Sequence, residues 1–243
     1  RDIFSWYAVN REKIIQHPNT VWQIVVHANG PAAPIKSMRN HYGVRVATNA
    51  EVDTATEYLE SRKNQFGIKV IKPRENHNAY SVHFYEPGGN YWEIESYEHR
   101  HQAGLPYDVS YPWEAELTEE QFPGRGYLPH GFTHGTIECN DWASSVNFYK
   151  EGLGMDVVTH VQTTKPHNIK HPANSWYVVS LEVPEKNRKY LSPLQRFTIS
   201  VASEDKLKEA RAALNTRRSE LTITELGETE EIPDGQSFML CDL

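Results

Sequence analysis

The chain has 243 residues, of which 38% are hydrophobic, 11% aromatic and 23% charged, enough to bury a core over about two domain lengths, which excludes wholesale disorder. Against 32 Asp and Glu stand 25 Lys and Arg, a net charge of −7 with no basic run, which argues against a nucleic-acid binder. No apolar stretch approaches the roughly 18 residues of a membrane span, and the two cysteines, Cys139 and Cys241, are too few for a disulfide framework, so a reduced, cytoplasmic protein is expected. The 12 histidines are the first hint of metal or acid–base chemistry.

Asp2 to Tyr7 reads as a strand at the very start, and Ser237 to Leu243 stops in mid-strand, so pieces are expected to be missing at both ends. His41 to Val46 is strand-like. Thr48-Asn49-Ala50-Glu51 then forms a capping box, and Val52, Ala55 and Leu59 supply a helical stripe. Short β-like runs follow at Gly67 to Ile71, Tyr80 to Tyr85 and Tyr91 to Ser96, with Pro87-Gly88-Gly89-Asn90 as a turn. Residues 99–130, rich in Gly, Pro, His and Tyr, read as a linker. His134 to Cys139 is a strand, followed by a helix capped by Asp141, with Val146, Tyr149 and Leu153 on one face and Gly152 or Gly154 as its stop. Arg196 to Ala202 is expected to be a strand, leading into a helix capped by Ser203 with Leu207, Ala210 and Leu214. The acidic run Glu225 to Glu231 reads as an exposed hairpin.

The order strand, helix, three strands repeats. His17-Pro18 through Val26 is matched by His171-Pro172 through Ser180 at an offset of 154, and Tyr42 through Thr48 by Phe197 through Ser203 at 155. The predicted fold class is therefore α+β, built of about four βαβββ modules: an incomplete first, a second at about 40–98, a third at about 131–181, and an incomplete fourth from about 195. Two pairs of modules follow, 1–98 and 131–243, joined by the linker.

A βαβββ unit ending in Phe84-Tyr85-Glu86-Pro87-Gly88-Gly89-Asn90-Tyr91-Trp92-Glu93 resembles the vicinal oxygen chelate superfamily, which includes glyoxalase I, the type I extradiol dioxygenases and the bleomycin resistance proteins. His134-Gly135-Thr136-Ile137-Glu138 through Asn147-Phe148-Tyr149-Lys150-Glu151-Gly152-Leu153-Gly154 is similar to the opening of a module, and Asn40-His41-Tyr42-Gly43-Val44-Arg45-Val46 to a module's first strand. The resemblance implies U-shaped mixed sheets around a metal site, with ligands on first and last strands. Carried over residue by residue, it places ligands at Glu93, His41 and His134, which together form the two-histidine, one-carboxylate set of non-haem Fe(II) oxygenases. Gln23 and Tyr177 match the position of Glu93 in the weaker units, and Arg196 that of His41.

Two pairings of modules are open. If the second pairs with the third, His41, Glu93 and His134 close one site. If the first pairs with the second, the third ligand comes from a strand before residue 1, and His134 belongs to a separate site. The first is preferred because it closes with residues in the sequence. The resemblance also implies a proton-transferring loop His and a substrate-orienting Tyr. Their nearest equivalents are His77 and Tyr85, although the spacing departs from the dioxygenase pattern by a residue or two.

Plainer readings apply elsewhere. Glu95 reads as a solvated strand residue, His17 and His171 as turn residues, and Cys139 and Cys241 as buried strand thiols. His83 alternates with Tyr85 along its strand, which leaves it open as a cavity-lining residue. The function expected is a ring-cleaving dioxygenase of extradiol type, acting with O2 on a catechol- or hydroquinone-like aromatic, with Fe(II) as cofactor or else Mn(II) or another divalent cation. The alternatives are a glyoxalase-type isomerase or lyase, a reading Gln23 keeps open, and a non-catalytic drug-binding protein of the same fold. Exposed sheet edges suggest a homo-oligomer.

Overall fold

The computed structural model describes residues 4–7, 12–16, 23–27, 40–76, 79–102, 120, 123–159, 166–170, 177–184, 197, 199–232 and 235–241. Strands β1 (Phe4–Tyr7), β2 (Glu12–Gln16), β3 (Gln23–His27) and β4 (Tyr42–Arg45) come first. Helices α1 (Asn49–Ser61) and α2 (Lys63–Phe66) follow. Then come β5 (Val70–Ile71), β6 (Glu75–Asn76), β7 (Tyr80–Tyr85), β8 (Tyr91–Ser96) and α3 (Glu98–Gln102). The remainder holds β9 (Gly131–Cys139), α4 (Trp142–Asn147) running into a π-helical turn (Phe148–Gly152), β10 (Asp156–Thr159), β11 (Pro166–Lys170), β12 (Tyr177–Glu182) and α5 (Glu204–Thr216). It closes with β13 (Glu225–Leu226), β14 (Glu230–Ile232), β15 (Gly235–Ser237) and β16 (Leu240–Cys241). Two compact units result: Arg1–Ile137 with Ala173–Val179, and Glu138–Pro172 with Ser180–Leu243.

The first unit carries the site. Its mixed sheet runs β12, β9, β4, β8, β7, β5, with β6 also on β7; β1 to β3 form a small antiparallel sheet. β4 pairs parallel with β8 on one side and antiparallel with β9 on the other. Alternation gives this sheet two faces. Val82 and Ile94 point to one, where α1 lays Val52, Ala55 and Leu59 against them together with Val46. Fully burying each Val, Leu or Ile among them is worth roughly 1.5–3 kcal/mol. The capping box holds as the sequence predicts: the Thr48 hydroxyl accepts from the Glu51 amide at 3.2 Å, and the Glu51 carboxylate accepts from the Thr48 amide at 3.1 Å. The turn between β7 and β8 explains the acidic-Pro-Gly-Gly-Asn motif. The Glu86 carboxylate accepts from the backbone of Gly88 and Asn90 and from the Asn90 amide, at 2.7 to 2.8 Å, and Gly89 turns the chain at φ +91°. That turn sets the register Tyr85↔Tyr91, His83↔Glu93, Ser81↔Glu95 on the second face.

In the second unit Asp141 caps α4, Gly154 ends the turn after it at φ +67°, and Ser203 caps α5. Phe148, Leu214, Leu221 and Ile223 form its core. The strand expected over Arg196 to Ala202 is corrected: the described residues 197 and 199–201 are not in a strand, and Phe197, Ile199 and Val201 are exposed. Their alternation matches β4, but β4 is a strand because β8 and β9 flank it, and alternation without such a ladder does not make one. No helix among the described residues is long and apolar enough to cross a membrane.

Candidate metal centre

The second face of the sheet is polar and yet buried. Gly43 and Arg45 on β4 lie beside Glu93 and Glu95 on β8, and His83 lies beyond Glu93 on β7. β9 completes the set through a bulge. Tyr42 faces Gly135 and Val44 faces Phe132, so two residues, Thr133 and His134, stand opposite Gly43 alone. A bulge re-aims side chains that regular alternation would send to opposite faces. Both Thr133 Oγ1, at 2.7 Å, and His134 Nδ1, at 3.2 Å, thereby reach Glu95 Oε1. His41 precedes β4, where its carbonyl accepts from the Thr136 amide at 3.0 Å.

The structure brings His41, Glu93 and His134 together. His41 Nε2 lies 3.1 Å from Glu93 Oε2 and 2.9 Å from His134 Nε2, which is 3.3 Å from the same oxygen. Ligands about 2.1 Å from one cation and at right angles lie about 3.0 Å apart. The donor triangle therefore fits one face of an octahedron, and the three groups could hold a metal ion. Glu93 and His134 are almost sealed, at 2% and 4% side-chain exposure, while His41 shows 14%, so solvent reaches the triangle past His41.

Around the triangle stand other buried groups. His83 Nε2 is 3.4 Å from Glu93 Oε1, the carboxylate oxygen that the two other histidines do not approach, and its ring meets that of His41 edge-on at 5.3 Å. Tyr91 stacks on His83 at 5.2 Å and meets His41 edge-on at 5.9 Å. Tyr85 stacks on Tyr91 at 4.4 Å, and its buried hydroxyl has no hydrogen-bond partner among the described residues. Burial raises the Tyr85 phenol above its ordinary range, so it stays protonated at neutral pH. His77, the other residue expected to act on protons, lies outside the described residues, as do His17 and His171.

Glu95 corrects the sequence reading. It is 1% exposed, not solvated, because β8 is flanked on both edges and Arg45 and His134 converge on it. Burial alone would push its carboxyl up; the charges of His134 and Arg45 outweigh this and bring it down to about 2. Burial would likewise push the His134 imidazole down, but the Glu95 charge and the hydrogen bonds to Glu93 and Glu95 raise it to about 10. Without a cation, His134 therefore carries a second proton at neutral pH. A cation taking Nε2 must displace that proton. Affinity for Co(II) is accordingly expected to rise about tenfold per pH unit between pH 6.5 and 8.5, with about one proton released by His134 per cation, measured by chelator competition.

No protein-family model matches the chain, and no curated protein matches its sequence. Solved structures do match its fold. A candidate dioxygenase from Bacillus subtilis aligns with TM-score 0.52 and 12% identity over 97% of this chain and 70% of its own. Glyoxalase I from Zea mays aligns with TM-score 0.51 and 11% identity over 95% and 74%, and a variant of it with TM-score 0.54 and 12% identity over 98% and 79%. The chain thus has a mixed α+β fold like that of these dioxygenase and glyoxalase I structures, the fold class its motifs lead one to expect.

Proposed function

We propose that this chain is a metal-dependent dioxygenase of extradiol type, which cleaves the ring of a catechol- or hydroquinone-like aromatic with O2 and uses Fe(II). The observation that carries this reading is the facial triangle of two imidazoles and one carboxylate. A divalent cation held by His41, Glu93 and His134 would supply Lewis acidity and redox capacity, with positions left for a chelating substrate.

The protein's own groups suit an anionic, oxygen-rich substrate. Glu93 contributes one negative charge against the two positive charges of a divalent cation. The remaining charge favours an ionised diol oxygen. His41, the most open of the three, marks the side from which substrate enters. The unpartnered Tyr85 hydroxyl, on a ring stacked against Tyr91, is the protein group proposed to orient a substrate oxygen. His77 is assigned to proton transfer by resemblance alone.

The test is oxygen consumption by anaerobically iron-loaded protein over a panel of catechols and hydroquinones. Uptake matched by loss of the aromatic absorbance supports the reading, and no uptake on any of them at full iron loading overturns it. Turnover with Ni(II), Zn(II) or Co(II) and no need for O2 would place the chain with the isomerases and lyases instead.

A further inference from the structure

We propose that Glu95, anchored by Arg45, is a positioning residue that presents Nε2 of His134 to the cation; this deepens the metal-centre reading and rests on it. Thr133 Oγ1 lies 2.7 Å from Glu95 Oε1, so its one hydroxyl proton points at the carboxylate. His134 Nδ1 lies 3.2 Å from the same carboxylate oxygen and 3.0 Å from Thr133 Oγ1. An ionised carboxylate can only accept, and the threonine has no second proton to give. Both neighbours of Nδ1 are acceptors, so Nδ1 carries hydrogen. In the neutral imidazole the lone pair then sits on Nε2, the atom that faces His41 Nε2 and Glu93 Oε2. A carboxylate–histidine pair of this kind fixes both the tautomer and the plane of a ligating ring.

Arg45 makes the arrangement rigid. Its Nη2 donates to Glu95 Oε1 at 3.2 Å and to the Tyr177 hydroxyl at 3.4 Å, and its guanidinium lies 4.2 Å from the Tyr97 ring centre. Tyr177 in turn lies nearly parallel to the His134 ring at 5.5 Å. The imidazole is thus held at its edge by Glu95 and on its face by Tyr177. The ion pair also holds Glu95 to Arg45, although it stands only two residues from Glu93 on the same face of β8.

The test loads Co(II) into the wild-type protein, Glu95→Gln, and the double variant Arg45→Met/Glu95→Met. The double variant removes both buried charges and guards against a lone uncompensated Arg45 unfolding the protein. The expected result is Co(II) affinity, corrected for the proton displaced from His134 in each protein, about 10- to 100-fold weaker in both variants, with one cation per chain retained. The Co(II)-shifted Nδ1–H proton resonance of His134 is expected to move or to be lost to exchange, while that of His41 stays. Wild-type Co(II) affinity and an unchanged His134 resonance in either folded variant would overturn the inference and leave the metal centre standing. A wild-type protein that takes up no Co(II) would overturn the metal-centre reading and this inference together.

Discussion

Alanine at Glu93, His41 or His134 is each expected to reduce bound iron, measured by elemental analysis of anaerobically purified protein, from near one per chain to near none. Glu93 should have the largest effect. It is the one anionic donor of the triangle, and without it two neutral imidazoles must hold a dication alone. The Glu93→Ala protein also loses the counter-charge beside His134, since Glu93 Oε2 lies 3.3 Å from its Nε2. Loss of iron in all three variants would mean one shared centre. Metal kept by His134→Ala but lost from the other two would mean that His134 is not a ligand and that the alternative pairing of modules is correct. Circular dichroism of the variants separates this from unfolding, because His41 is partly exposed and its removal leaves little empty space.

Gly43→Ala is expected to abolish stoichiometric metal binding although residue 43 offers no donor atom. A Cβ at this position would overlap the His134 ring and stand 2.6 Å from Thr133 Oγ1, contacts too close for the side chains to absorb. The bulge has already placed both residues opposite Gly43, so neither can retreat without leaving Glu95. Overpacking of this kind costs about 1–3 kcal/mol, read as a lower midpoint in urea. The distinguishing sign is that metal is lost from protein that is still folded. A Gly43→Ala protein with full metal content would show that His134 does not depend on this gap.

The parts of this protein that follow local rules were legible in its sequence. The capping box at Thr48 and Glu51 and the bounds of β7 and β8 need only alternation, helical spacing and a turn motif. The meeting of His41, Glu93 and His134 was legible only through the resemblance of their motifs to the vicinal oxygen chelate modules, which implies ligands on first and last strands; the internal repeat alone gives no such set. Glu95 was not. A glutamate at alternate spacing in a strand looks like a surface residue, and only the register of β8 against Arg45, with the β9 bulge, shows that counter-charges await it. The bulge itself adds one residue without changing composition or pattern, and Gly43 resembles any strand glycine until the ring across from it is seen. The segment 197–201 misled in the opposite sense, having the pattern of a strand but no strand partner among the described residues.

The strand pairing that builds the centre also fixes when it can exist. His41 is 52 residues from Glu93 and 93 from His134 along the chain. Closing loops of that length carries an entropic cost before any contact is gained, and pairings so distant form slowly. The triangle therefore exists only once β4 lies between β8 and β9. A cation in the cell meets no such site on the nascent chain. Once captured, it ties together three distant segments and stabilises the folded state in proportion to its occupancy. Metal loading should then act less as a folding nucleus than as a latch, slowing the escape of β4 and β9 from a sheet already made.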